Sequence, residues 1–116
     1  MTTQILDLEN VRMVGINNKY IWNPKMGRLI LSREYRDFKN MIITCTTKIE
    51  DVKIEGIYIW FSGYCDIDAG IKAIIDGVCE KLGVNDREIT RLHVNKLPIK
   101  RGQAGYLKVY IEGDKV

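Results

Sequence analysis

The run Ile57-Tyr58-Ile59-Trp60-Phe61-Ser62-Gly63-Tyr64-Cys65-Asp66-Ile67-Asp68-Ala69-Gly70-Ile71-Lys72 decides how this chain folds. It joins an apolar strand to an amphipathic helix, and it sets two carboxylates two residues apart at the junction. The strand opens at Val52. Val52 and Ile54 share one parity, while Ile57, Ile59 and Phe61 share the other. The change falls at Glu55-Gly56, where one extra residue, a β-bulge, returns the apolar set to the same side. Tyr58 and Trp60 point the other way, so cover is expected on both faces of this strand. After the acid pair, Ile71, Ile74, Ile75, Val78, Cys79 and Leu82 recur at helical spacing. They predict a helix from about Ala69 to Leu82, ended by Gly83. Gly70, Ala73 and Gly77 form a stripe of small residues where another element can approach closely. If the first turn opens at Asp68, Lys72 lies one turn above it.

On the N-terminal side, Ile5 to Glu9 reads as a short strand and 15–18 as a turn. Lys19 to Trp22 and Met26 to Leu31 read as two brief strands either side of Asn23-Pro24. Ser32 is a candidate N-cap, with Glu34 in the first turn. Tyr35, Phe38, Met41, Ile42 and Cys45 then mark one face of a helix over 33–46. On the C-terminal side, Ile89 to Leu97 and Gly105 to Glu112 alternate as strands around a basic loop at 98–104. They read as an antiparallel hairpin with Arg91, His93, Lys108 and two tyrosines on one face. The expected fold is a single α+β domain over 1–116, with a mixed β-sheet and two helices.

With 116 residues, 46% hydrophobic and 28% charged, the chain can bury one small core. No apolar run approaches the roughly 18 residues of a membrane span. The N-terminus lacks the basic and apolar regions of a secretory signal. Cys45, Cys65 and Cys79 are odd in number and have no CxxC spacing. With one histidine, they point to reduced thiols in a cytoplasmic protein rather than to a zinc site. The net charge is only +3, but its distribution is uneven. Residues 87–101 hold Arg87, Arg91, His93, Lys96, Lys100 and Arg101 against Glu88 alone. Such a stretch can bind phosphates; a solvated strand face is the other reading.

Three acids have the chemistry of a divalent-metal site: Asp66, Asp68 and Asp86, the last just past the second helix. Hydrolysis of a phosphodiester needs an activated water and neutralised phosphate charge. One or two Mg²⁺ ions held by carboxylates supply both. A structural role is open for each acid: Asp68 as N-cap, Asp66 at a strand end, Asp86 in an Asn-Asp turn. Lys72 bears on the choice. A lysine in the first turn opposes the helix dipole, and Lys72 before Asp76 is the poorer i,i+4 orientation. Anionic neighbours such as Asp66 and Asp68 would make it sensible, since a lysine there can steady developing charge. Asp76 and Glu80 read as solvated surface, and His93 as an exposed strand residue.

From about Asn17 to Ile111 the chain resembles the RusA family of Holliday junction resolvases, small endodeoxyribonucleases common in phages and prophages. The resemblance runs through Asn17-Asn18-Lys19-Tyr20, Gly27-Arg28, Ser32 with Tyr35-Arg36-Asp37, and Asp66-Ile67-Asp68 with Lys72 and Asp76. It continues through Asn85-Asp86 and Asn95-Lys96-Leu97-Pro98-Ile99-Lys100 to the closing strand. It implies a homodimer that binds four-way DNA junctions and cuts paired strands with Mg²⁺ or Mn²⁺ in recombination and repair. By the same likeness, Asp66, Asp68 and Asp86 are the metal-binding catalytic acids and Lys72 the catalytic lysine. Lys19, Arg91, Lys96, Lys100 and Arg101 are the expected DNA contacts. The family's usual Asp-x-Asp-Asn departs here at Ala69, which removes a side chain able to support the ligands. The rival expectations are a catalytically weak or inactive branched-DNA-binding protein and a purely structural dimerisation domain.

Overall fold

The computed structural model describes residues 2–11, 20–63, 67, 70–99, 103 and 105–115, with the backbone alone at 20, 31 and 115. The order is β1 (Thr2–Val11), β2 (Tyr20–Asn23), β3 (Arg28–Leu31), α1 (Arg33–Cys45), β4 (Val52–Gly63), α2 (Ile71–Leu82), a 3-10 turn (Asp86–Glu88), β5 (Arg91–Pro98) and β6 (Gly105–Lys115). The result is a small α+β domain with a mixed sheet and two helices.

Four strands form the main sheet in the order β1-β6-β4-β5, and β2 and β3 form a separate two-stranded ribbon. β4 is the central strand the sequence pattern marks. It runs parallel to β5 and antiparallel to β6, and β6 runs antiparallel to β1. The predicted bulge is present, because the β4–β6 register shifts between Ile54 and Gly56. That shift lets Val52, Ile54, Ile57, Ile59 and Phe61 all enter one core, together with Leu107, Val109 and Ile111 of β6.

The helices cover that side. In α1, Tyr35, Phe38 and Ile42 are buried, and Ser32 Oγ accepts from Tyr35 N at 3.2 Å as the expected cap. In α2, Ile71, Ala73, Ile74, Gly77, Val78 and Cys79 are buried. The small-residue stripe is where α1 crosses: a Cβ on Gly77 would stand 2.8 Å from Ile42 Cγ2. Gly83 ends α2 in the left-handed region at φ 68, as Gly suits, with its N–H turned to Glu80 O. Burying each large aliphatic side chain here stabilises the fold by about 1.5–3 kcal/mol.

Three expectations need correction. β5 and β6 are not a hairpin: β4 lies between them, and β5 pairs with β4 in parallel. The apolar alternation of both strands is satisfied equally well by that order, and α2 supplies the crossover a parallel pair requires. The face bearing Tyr58 and Trp60 is not covered by the described residues, and Trp60 is 41% exposed; two helices suffice for only one side of the sheet. Lastly, α2 begins at Ile71 with Gly70 as its cap, so the cap position carries no side-chain bond. Among the described residues no helix is long and apolar enough to cross a membrane.

Candidate functional site

The carboxyl ends of β4 and β5 lie side by side, with Gly63 opposite Pro98. α2 starts eight residues beyond Gly63. In open sheets with parallel strands, the crevice beyond the carboxyl ends is where loop side chains converge. β4 ends at Gly63 and β5 at Pro98 on this edge.

The chain then brings a distant acid back to the start of α2. From Lys72 to Leu82 the helix climbs about 15 Å. Gly83 reverses the path, and Val84 N donates to Cys79 O at 3.0 Å. Three further residues are enough to return along the helix. Asn85 Oδ1 accepts from Arg87 N at 3.0 Å and caps the 3-10 turn that Asp86 opens. Lys72 Nζ consequently stands 3.4 Å from Asp86 Oδ2 and 3.0 Å from Asp76 Oδ1. Tyr35 reaches across from α1, its hydroxyl 3.5 Å from Asp76 Oδ2. One cation is thus held between two carboxylates, one from its own helix and one from the returning turn.

The electrostatics follow from that geometry. The bond to Asp76 chiefly, then the charge of Asp76 and the approach of Asp86, raise the Lys72 pKa against the opposing effect of partial burial. The ammonium therefore stays charged at neutral pH. The thiol of Cys79, on the same side of α2, is pushed up to about 11, mainly by burial and further by Asp86 and Asp76. It is a packing group, not a nucleophile, at neutral pH. Among the described residues Cys45 and Cys79 are both free, and Cys65 lies outside them.

Of the residues expected at the site, Lys72 and Asp86 meet. Asp66, Asp68, Lys19, Lys100 and Arg101 lie outside the described residues. Among the described residues no group of three or more metal-ligating side chains comes together. Asp86 keeps an exposed carboxylate, bonded among the described residues only through Oδ2, by Lys72. Lys96 is paired with Phe61, two positions before the end of β5 and so near the carboxyl edge. Arg91 is paired with Gly56 at the other end of the strand, about 16 Å away at some 3.3 Å per residue. Its guanidinium is already engaged, 3.3 Å from Glu112 and 3.5 Å from Glu55.

Two residues were not expected here. Asp76, read as solvated surface, is the nearer partner of Lys72, and its side chain is only 23% exposed. The signal was the i,i+4 spacing itself; the unfavourable orientation is outweighed once Asp86 and Tyr35 close around the pair. Tyr35 reads from sequence as core only. Its hydroxyl contact spans 41 residues of chain, which no local pattern reports.

A second cluster occupies the open face. Tyr58 donates to Glu112 Oε2 and stacks on His93, ring centroids 4.9 Å apart. The hydrogen bond to Glu112 raises the Tyr58 pKa and lowers that of Glu112; Glu112 in turn raises Arg91. A trough of about 640 Å³ runs beside them, lined by Thr2, Tyr58, Trp60, Tyr106, Lys108, Tyr110 and Glu112. The expectation that Arg91, His93, Lys108 and two tyrosines share a face is met, although β4 separates their strands.

No protein-family model matches this chain, and no curated protein matches it in sequence.

Proposed function

We propose that this chain is a Mg²⁺-dependent endodeoxyribonuclease of RusA type, acting as a cytoplasmic homodimer on four-way DNA junctions. The observation that carries the reading is the 3.4 Å approach of Asp86 to Lys72. These are the two described members of a four-residue set named from sequence, and they are 14 positions apart.

The donor chemistry suits Mg²⁺ or Mn²⁺. Both prefer carboxylate oxygens and retain several waters, so few protein ligands suffice. Asp66, Asp68 and Asp86 would hold the ion. When bound, it would lower the pKa of a water and offset charge on the phosphate. The residues of the chain supply the rest. Lys72, kept protonated, meets the negative charge that develops on the phosphoryl oxygens. Asp76 and Tyr35 fix the reach of Lys72 along the helix, so its charge need not be oriented at the moment of reaction. Lys96 stands near the same edge, where a phosphate backbone would run into the site.

The decisive experiment is incubation of a synthetic four-way junction with and without Mg²⁺, comparing wild type with Asp68→Asn and Asp86→Asn. Wild type is expected to cut symmetrically with metal only, and each variant to lose on the order of 100-fold or more in rate while still binding. Wild type and variants that cut equally would refute the assignment. Light scattering is expected to give the mass of two chains.

A second reading is favoured by Ala69, which stands where the family carries asparagine. In that reading the protein binds branched DNA, salt-sensitively and without metal, but cuts weakly or not at all. A wild type inert with both Mg²⁺ and Mn²⁺ yet tight on junctions would select it.

A further inference from the structure

The β2–β3 ribbon is set apart from the rest of the molecule. It forms a sheet of its own, and a two-stranded hairpin alone is marginally stable in water. Yet its tip is firmly built. Asn23 Oδ1 accepts from Lys25 N at 2.9 Å and Met26 N at 3.1 Å, and Gly27 N donates to Asn23 O at 2.9 Å. Pro24 fixes the corner. On this frame Ile21, Trp22, Met26 and Leu29 are 50%, 61%, 53% and 61% exposed. Trp22 and Leu29 are direct cross-strand partners. So much apolar surface on so short an element marks a contact site.

Charge decides the occupant. From residue 20 to 31 the ribbon carries Lys25 and Arg28 and no acid. A second copy docked ribbon to ribbon would bring these cations together. The open sheet face, by contrast, sets Asp7, Glu9, Glu55 and Glu112 against Arg91 and Lys108, with Lys53 opposite Asp114. It is the poorer surface for phosphates, for all its aromatic rings. A basic ribbon with apolar side chains fits a nucleic acid. Two-stranded ribbons enter DNA grooves, and inserted apolar side chains unstack base steps. At a branch point stacking is already interrupted, so insertion there costs least.

We infer that the β2–β3 ribbon is a nucleic-acid wedge: Lys25 and Arg28 hold backbone phosphates while Trp22, Leu29 and Met26 stack on or between bases at the branch. This rests on the DNA reading above, and it adds a surface that includes neither Lys72 nor Asp86.

The test uses the full chain and a four-way junction carrying 2-aminopurine at its branch point, with Ca²⁺ in place of Mg²⁺. In a Trp60→Phe background, Trp22 emission should be quenched on binding and 2-aminopurine emission should change. Trp22→Ala with Leu29→Ala should weaken junction binding about tenfold or more without lowering Tm. Lys25→Ala with Arg28→Ala should flatten the salt dependence by about two phosphate contacts. Unchanged affinity in both double variants overturns the inference. So does conversion of a dimer to a monomer with junction affinity per chain intact, which would make the ribbon a self-association arm. A wild type that binds the junction but fails to cut it with either Mg²⁺ or Mn²⁺ defeats the nuclease reading and leaves the wedge standing. A wild type that binds no DNA defeats both.

Discussion

Two clusters in this protein share one recipe, a cation between two carboxylates, and they differ in almost everything else. Lys72 sits between Asp76 and Asp86 at 3.0 and 3.4 Å; Arg91 sits between Glu112 and Glu55 at 3.3 and 3.5 Å. The Arg91 cluster lies on neighbouring strands, its register set by the sheet, with Tyr58 closing it through Glu112 and His93 stacked beside. Arginine is rarely anything but charged, and its planar fork suits a fixed ionic lattice. The Lys72 cluster is assembled from a helix and a returning turn, and Asp86 offers an exposed carboxylate beyond its one described bond. Lysine is a point charge on a flexible stem, whose pKa neighbours move easily. The contrast teaches that ion-pair geometry alone does not mark a site. What sets the Lys72 cluster apart is the exposed carboxylate of Asp86, which keeps coordinating capacity beyond that bond.

The comparison breaks most sharply on activity. Asp86→Asn is expected to lower junction cleavage on the order of 100-fold or more, whereas Glu112→Gln should leave it within about twofold. Asp76→Asn should fall between, at about tenfold, because Asp76 acts through Lys72, as partners of this kind do. Single-turnover cleavage with labelled junctions measures all three. If Glu112→Gln is the crippled variant, the roles assigned to the two clusters are reversed. As a positioning residue, Asp76 should also shift the alkaline limb of the rate profile downward, since its bond is the chief cause of the raised Lys72 pKa.

On thermal stability the order should invert. Tyr58→Phe removes the donor to Glu112, and Glu112→Gln removes the charge that faces Arg91, so a Tm lower by about a degree or two is expected for each. Asp86→Asn keeps the 3-10 turn and its Asn85 cap, so its Tm should stay near wild type. Thermal melts by circular dichroism decide it. A larger loss for Asp86→Asn than for Glu112→Gln would mean that Asp86 mainly staples the returning turn.

The central strand, its bulge and both helices were legible because each obeys a local period: apolar parity in β4, a 3.6-residue stripe in α1 and α2, Ser32 and Gly83 at their ends. The strand order was not. Val94 of β5 pairs with Ile59 in parallel, yet the same alternation would suit an antiparallel partner, and a loop of seven residues invites the hairpin reading. Pairing is decided by the whole sheet, through the α2 crossover, and no single segment records it. At the site, Lys72 and Asp86 could be named from residue type and order. Asp76 was legible in spacing and discounted on orientation. The hydroxyl of Tyr35 had no local signature, because its partner lies on another helix.

The finest distinction between the clusters is in pH. The Glu112 carboxyl is held below its ordinary 4.5, first by the Tyr58 hydroxyl. A depressed acid contributes stability that is present above its unfolded pKa and lost as pH falls through the folded one. The Lys72 ammonium is held above its ordinary 10.5. A raised base contributes stability that is full below its unfolded pKa and lost as pH rises through the folded one. The Tm gap between wild type and Glu112→Gln should therefore be steady at neutral pH and shrink in acid, below about pH 4.5. The gap between wild type and Lys72→Met should instead shrink in alkali, above about pH 10.5. Both effects are small because these groups are partly in water, where exposed ion pairs are worth little. Paired melts across the pH range read the two gaps against each other. A Lys72→Met gap that closes already at neutral pH would show an ammonium not held by its carboxylates, and the contrast between a prepared cation and a structural one would fail at its root.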